Sequence, residues 1–200
     1  MTLKSILLGA ILTMTSCTLT AKDIQLPAPN KNGGMPLMEA VNNRHSDRNF
    51  TDATISEQQL SDMLWIACGY NRPEKRTVAT ALNRQEMSAY VITPDAVYRY
   101  EPLENKLIHV NSGDHRDVCA MQEFAKKAPL NVALVADLAK QDKEIFAAMT
   151  VGAMSNNIYL WCASEGLNTV VRASFDQEGL KKALKLNGEE TVLLVQTIGK

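Results

Sequence analysis

The clearest element in the pattern of hydrophobic and polar positions is a helix that begins after Ser56. Apolar residues recur at helical spacing up to Gly69, which ends the pattern. Ser56 followed by Gln59 is the signature of a capping box, in which each side chain bonds the other residue's backbone N–H. The spacing therefore predicts a helix over residues 56–68.

A longer helix is predicted over residues 143–165, and it is apolar around most of its circumference. Such a helix is typical of a core or of a subunit interface. Gly166 follows it as the expected C-terminal glycine. Shorter helical patterns cover residues 37–44, 114–128 and 176–186.

Short apolar or alternating runs predict six strands, of which the first three form an antiparallel meander. They cover residues 89–93, 97–100, 106–110, 130–136, 169–173 and 191–198. Helices and strands interleave without a regular βαβ alternation, so the predicted fold class is α+β. The polar segment 70–87 has no clear period, and a loop of this length inside a domain is usually functional.

Composition fits one globular domain and excludes some classes of partner. The chain has 200 residues, of which 46% are hydrophobic. Its 21 Lys and Arg residues balance 22 Asp and Glu residues, whereas a binder of nucleic acid or of an anionic membrane normally shows a basic excess. Neither GxGxxG after a strand nor GxxxxGK[ST] is present, so these two phosphate-binding loops are excluded.

The first 21 residues predict a bacterial export signal, because an apolar run too short to span a bilayer follows Lys4. Three interpretations stay open: a lipoprotein box ending at Cys17, cleavage after Ala21 to release a soluble periplasmic protein, or a coincidental apolar N-terminus. We expect a signal peptide over 1–21, an exposed lead-in over 22–36 and one domain over 37–200. The expected location is the periplasm or, through a lipid anchor, the membrane of a bacterial cell envelope.

The other cysteines and the histidines show no spacing that suggests a metal site. We expect three buried thiols, which lie far apart in the sequence: Cys68, Cys119 and Cys162. No metal ligand is expected among the three histidines: His45, His109 and His115.

The first candidate for a functional site is the segment NRHSDRNF, residues 43–50. Arg44 and Arg48 are four residues apart, so in a helical or turning segment both guanidinium groups can reach one side. Arginine binds phosphate in a bidentate way, and the hydroxyl of Ser46 can complete the site. The alternative is a charged turn in which Asp47 neutralises an arginine.

Two later segments carry further polar candidates. Residues 80–86 contain Asn83 and Gln85, whose amides can pair with the edge of a heterocycle or can simply be loop surface. Residues 166–176 read as a helix end, a strand and a new helix start, and free N–H groups at such a start suit an electron-rich acceptor. A plain helix–strand connection is the alternative.

In this order and spacing the three segments resemble the nitroreductase family of FMN-dependent oxidoreductases, from about residue 37 to the C-terminus. R-H-S-x-R-x-F at 44–50 matches that family's opening flavin-binding motif. Residues 79–86 match its P-S-x-x-N-x-Q block, with Ala79 and Thr80 in place of proline and serine. GAMSNNIYLWCASEGLNTVV resembles the central interface helix and the strand that follows it.

The resemblance implies a nitroreductase-like fold: a central, mainly antiparallel sheet flanked by helices, in an intertwined homodimer with two FMN sites at the interface. It implies that four residues bind the phosphate, ribityl chain and pyrimidine edge of FMN: Arg44, His45, Ser46 and Arg48. It brings a loop from the partner subunit to the same flavin, with Gln85 orienting that loop: Ala79, Thr80, Ala81 and Asn83. Gln122 falls at the flavin edge, and the isoalloxazine ring is assigned to Val171, Arg172, Ala173 and Ser174.

The implied activity is transfer of hydride through flavin N5 to or from a small electron-poor substrate, such as a nitroaromatic or a quinone, with NAD(P)H as the candidate electron donor. No catalytic side chain is implied. Arg172 is expected to place a positive charge beside the flavin and to favour anionic substrates. Two alternatives stay open: a flavin-dependent dehydrogenase acting on a peptide or small metabolite, and an exported binding module of the same fold that has lost FMN.

Overall fold

The computed structural model describes residues 22–200, so the predicted export signal with Cys17 lies outside the described residues. The helices are α1 (Leu37–Asn43), α2 (Glu57–Cys68), α3 (Glu123–Lys127), α4 (Glu144–Glu165) and α5 (Gln177–Ala183). The strands are β1 (Ile24–Gln25), β2 (Tyr70–Arg72), β3 (Lys75–Arg76), β4 (Met87–Ile92), β5 (Ala96–Glu101), β6 (Lys106–Ser112), β7 (Leu130–Asp137), β8 (Asn168–Arg172) and β9 (Glu190–Gly199). Two 3₁₀ turns cover Ala81–Asn83 and Arg116–Cys119.

One seven-stranded sheet organises the domain, in the order β1-β6-β5-β4-β7-β9-β8. Each neighbouring pair in it is antiparallel. The α+β class and the central antiparallel sheet flanked by helices are therefore confirmed. Strand β8 lies at an edge of this sheet, so one side of its backbone is available to another segment.

The sheet separates two hydrophobic clusters. Helices α2 and α4 contribute to the larger cluster, in which Leu64 and Ile158 are fully buried. Helix α5 contributes Leu180 to the smaller cluster on the other side. No helix in the described part of the chain is both long enough and apolar enough to cross a membrane.

The two helices with strong sequence signals begin and end where local chemistry predicts. The capping box at Ser56 and Gln59 is present in both directions. Gly69 follows α2 in an extended conformation, and a Cβ there would lie 2.8 Å from Cα of Trp65, so this position needs glycine for close approach. Gly166 ends α4 in the left-handed region, at φ 66°, as expected of a C-terminal glycine.

The predicted helix over 114–128 is wrong. This segment is a 3₁₀ turn, then an extended stretch, then the five-residue helix α3. The carbonyls that would continue the helix accept bonds from elsewhere: Cys119 O from Arg172 Nη1 and Val118 O from the backbone N–H of Asp176. Tertiary hydrogen bonds thus replace the i to i+4 bonds on which the prediction depended.

Two regions expected to lack structure contain strands. The lead-in over 22–36 is not wholly exposed, because β1 pairs with β6 and Leu26 is 4% exposed. The segment 70–87 contains the small hairpin β2–β3. Strands of two or three residues carry too few positions to show a period in the sequence.

Candidate functional site

The segment after α1 runs along the free side of β8. The backbone N–H of Asp47 donates to Thr169 O at 3.0 Å, and Asn168 Nδ2 donates to Asn49 O at 2.6 Å. An edge strand offers unpaired carbonyls, and here this segment uses one of them. The predicted anion-binding motif is thereby held against the sheet at the strand assigned to the flavin ring.

Tyr159 of α4 joins the two parts of this site. Its hydroxyl lies 2.8 Å from Oγ of Ser46 and accepts the backbone N–H of Val171 at 3.0 Å. The guanidinium of Arg44 stands over the ring of Tyr159, 5.3 Å from its centroid. The sequence pattern did not single out Tyr159, whose one signal is a hydroxyl within an otherwise apolar stretch of the helix.

The site carries positive charge without a carboxylate partner. Arg44 and Arg48 are exposed, and no described Asp or Glu forms an ion pair with either of them. Asp47 instead accepts the backbone N–H of Asn49 at 2.7 Å and lies 3.8 Å from Nε2 of His45. The bond from Asn49 lowers the pKa of Asp47. The alternative in which Asp47 neutralises an arginine is therefore wrong.

Ala173 and Ser174 follow β8 directly and are exposed. Their backbone N–H groups donate to no acceptor within residues 22–200. A pair of free N–H groups beside two unpaired arginines and a serine hydroxyl suits a ligand with phosphate and electron-rich heteroatoms. By the chemistry of its donors, the site fits FMN.

Arg172 does not present its charge at this site as expected. Its side chain is buried, 7% exposed, on the opposite side of β8, and its ring neighbour is Phe124 at 5.4 Å. It donates to Cys119 O, to Asn131 Oδ1 and to Thr197 Oγ1. The expectation that Arg172 offers an accessible charge to anionic substrates is therefore wrong, because the guanidinium is occupied by core acceptors.

The loop over 70–87 is organised by Gln85. Its amide oxygen accepts from Tyr70 Oη at 2.7 Å and from Arg76 Nε at 3.2 Å, while its Nε2 donates to Glu74 O at 2.8 Å. These bonds orient the loop. They are accompanied by positive φ at four non-glycine residues, a conformation found at functional sites when the surroundings enforce it; these are Glu74, Leu82, Asn83 and Gln85.

Within a single subunit, some of the predicted site residues lie together and others lie apart. Ser46, Tyr159 and Val171 form one hydrogen-bonded group, and Arg44 stacks on it. Within the described chain, no hydrogen bond links residues 79–85 to residues 44–48 or 171–174. Gln122, the N-cap residue of α3, is exposed. Assignment of the loop to a partner's site stays a prediction.

The three described cysteines are buried and free, as predicted. Burial raises the pKa of Cys68 to about 11 and that of Cys119 to about 12, and it also raises the pKa of Cys162. None of these thiols is suited to act as a nucleophile near neutral pH. Over residues 22–200, no three His, Cys, Asp or Glu side chains are grouped as a metal site would need.

The fold and site define an α+β protein with an exposed, arginine-containing segment along a sheet edge. The sequence profile of the Nitroreductase family matches residues 41–200, so the chain belongs to that family. A crystal structure from Ralstonia eutropha JMP134, described as a nitroreductase, is 36% identical, covers 90% of each chain and has a TM-score of 0.85.

Two further comparisons are more distant. A protein of Methanocaldococcus jannaschii named as a nitroreductase is 24% identical over 195 residues, covering 89% of this chain and 96% of that protein. A structure from Desulfovibrio desulfuricans, described as a nitroreductase in complex with FMN, is 17% identical, covers 84% of this chain and 87% of that one, and has a TM-score of 0.63. The latter likeness concerns the fold alone.

Proposed function

We propose that the protein is an FMN-dependent oxidoreductase that acts on a small electron-poor compound, such as a nitroaromatic or a quinone. The main support is that Arg44 and Arg48 flank Ser46 and that neither arginine forms an ion pair with a described carboxylate. Both lie near the free N–H groups that follow β8. Family membership supports the same class of enzyme and the use of NAD(P)H as electron donor. When bound, FMN supplies the redox chemistry by exchanging hydride at N5.

The protein's own residues bind and orient the cofactor. Arg44 and Arg48 would neutralise the phosphate, and Ser46 is held in position by the hydroxyl of Tyr159. The free N–H groups of Ala173 and Ser174 would donate to the electron-rich edge of the ring and would favour negative charge there. No side chain is assigned as acid, base or nucleophile.

A homodimer completes the proposed site. Helix α4 carries exposed apolar side chains on one face: Ile145 is 65% and Met149 is 67% exposed. Ala148 and Gly152 lie on the same face and permit close approach of another helix. Such an apolar face is typical of a subunit interface, and the partner's loop 79–85 would reach the flavin across it.

The test is whether purified protein binds FMN and whether NADH or NADPH bleaches the bound flavin without oxygen. We expect stoichiometric FMN, bleaching by at least one of the two donors, and reoxidation by a quinone or nitroaromatic. Protein that takes up no FMN under any condition would refute the proposal. Bound flavin that neither donor reduces, but that a peptide or small metabolite does, would establish the dehydrogenase instead.

We also propose that the protein is exported, on the basis of the apolar run after Lys4. Its location is then the periplasm or, through lipid on Cys17, a membrane of the cell envelope. Incorporation of labelled palmitate that is lost in Cys17→Ala identifies the lipoprotein. An unprocessed N-terminus in mass spectrometry of the native protein would contradict export by this signal.

A further inference from the structure

The guanidinium of Arg172 is a buried positive charge whose hydrogen-bond acceptors are all neutral. Nη1 donates to the carbonyl of Cys119 at 3.0 Å, and Nη2 donates to Oδ1 of Asn131 at 3.1 Å and to Oγ1 of Thr197. Nε has no hydrogen-bond partner within residues 22–200. No described carboxylate forms an ion pair with this side chain.

This arrangement is costly for folding. Buried charges are normally paired, because removing them from water is unfavourable unless an opposite charge compensates. Desolvation, with a smaller contribution from the neighbouring Arg48, lowers the pKa of Arg172 to about 10. The group is still protonated at neutral pH, so a full positive charge persists in the core.

The charge is carried by the last residue of the strand that ends at the proposed flavin site. Arg172 is preceded by Val171, whose N–H is held by Tyr159, and followed by Ala173, whose N–H is free. Neighbouring Cα atoms are about 3.8 Å apart, and an arginine side chain extends roughly 7 Å from its own Cα, so the guanidinium lies within about 11 Å of the backbone at Val171 and Ala173. A charge in a poorly solvated region acts over this distance with little screening.

We propose that Arg172 is a fixed electrostatic group that makes FMN easier to reduce, an inference that rests on the proposed function. Two-electron reduction with uptake of one proton adds one negative charge to the flavin, and a positive potential behind the ring stabilises that product. Arg172 touches neither flavin nor substrate; it acts through the field at the end of β8. A unit charge about 10 Å away at an effective dielectric of about 20 strengthens binding of reduced over oxidised FMN roughly tenfold.

The experiment measures the midpoint potential of bound FMN and converts it to the ratio of the dissociation constants of oxidised and reduced FMN. Arg172→Met removes the charge, whereas Arg172→Lys loses the same hydrogen-bonding fork and keeps the charge. We expect the ratio to fall roughly tenfold in the Met variant and to stay within about threefold in the Lys variant. Equal falls in both would overturn the inference.

Asn131→Asp provides an independent test if Arg172→Met does not fold. It keeps the side-chain volume and the contact at Oδ1, loses the bond that Nδ2 donates to Ala125 O, and places a negative charge beside the guanidinium. The ratio should fall although Arg172 is still present; an unchanged ratio would contradict the electrostatic role. Arg116→Met is the matched control, because Arg116 is already paired with Asp114 at 2.6 Å, and it should leave the ratio unchanged. Failure of the native protein to bind FMN would refute the proposed function and this role of Arg172 together, whereas an unchanged ratio in a folded, FMN-binding Arg172→Met variant would refute the role of Arg172 alone.

Discussion

Ser46 and Tyr159 lie 113 residues apart in the sequence, and their hydroxyl oxygens are 2.8 Å apart in the fold. The same Tyr159 oxygen accepts the N–H of Val171. One buried hydroxyl thus fixes the arginine-containing segment, the central helix and the edge strand relative to one another. The geometry of the candidate site depends on this contact more than on either segment alone.

Tyr159→Phe should therefore loosen the site without breaking the core. The ring and its contact with Arg44 remain, but the N–H of Val171 loses its acceptor, so the free energy of unfolding should fall by about 1 to 2 kcal/mol. FMN affinity should fall as well. Urea unfolding and flavin titration measure the two effects. Tyr90→Phe is the control, since its hydroxyl has no hydrogen-bond partner among residues 22–200; an equal loss there would contradict the account.

Much of the fold could be predicted because its signals are local. The capping box at Ser56 and the glycine after α4 specify helix ends through neighbouring residues alone. The segment 114–128 could not be predicted, since its carbonyls bond Arg172 and the backbone of Asp176, which are distant in sequence. In this segment, tertiary hydrogen bonds outweigh the local helix propensity of the residues.

The site could be predicted only in part for a similar reason. The motif at 44–48 contains the residue types that bind phosphate, and its exposure agrees with that prediction. Tyr159 was missed because a helix pattern shows that a residue is buried but not which loop it meets. The alternation of β8 places Arg172 opposite its neighbours, yet the sequence does not say which face the core occupies.

The stability of the turn after β6 should depend on pH through Asp114. Its carboxylate accepts Nε and Nη2 of Arg116 at 2.9 and 2.6 Å, and these bonds lower the pKa of Asp114 below its ordinary 3.8. A lowered pKa in the folded state means that the contribution is present above pH 3.8 and is lost as the pH falls through the folded-state value. Asp114→Asn should remove it.

Urea unfolding of both proteins from about pH 7 to about pH 3 tests this prediction. The difference in unfolding free energy between native protein and Asp114→Asn should be constant above about pH 5 and should shrink below pH 3.8. In an Arg116→Met background the difference should be small at every pH. A difference that grows on acidification would contradict the assignment.

Met149→Glu should disrupt the proposed homodimer. A charge on the exposed apolar face of α4 would be desolvated against the partner helix, so sedimentation should show monomers where the native protein forms dimers. Leu103→Glu is the matched control, because Leu103 is 76% exposed in the turn between β5 and β6 and lies outside that face. Native protein that sediments as a monomer, or a loss of dimer in both variants, would contradict the interface.

Mixed dimers test whether the loop at 79–85 serves the partner's flavin. One subunit carries Arg44→Ala with Arg48→Ala, and the other carries Asn83→Ala with Gln85→Ala. If each site takes the arginines from one subunit and the loop from the other, the mixed dimer has one intact and one doubly impaired site. It should bind one FMN with native affinity. If all these residues serve a site within one subunit, no intact site forms in the mixture.

If Arg44 and Arg48 hold a phosphate, the protein must distinguish FMN from riboflavin, which has the same ring system but no phosphate. Native protein should bind FMN at least about tenfold more tightly than riboflavin. Arg44→Ala and Arg48→Ala should each reduce that preference while leaving riboflavin affinity unchanged, and Arg99→Ala, at an exposed arginine near Glu101, should keep it. Equal affinity of the native protein for both flavins, or an unchanged preference in both site variants, would contradict the account.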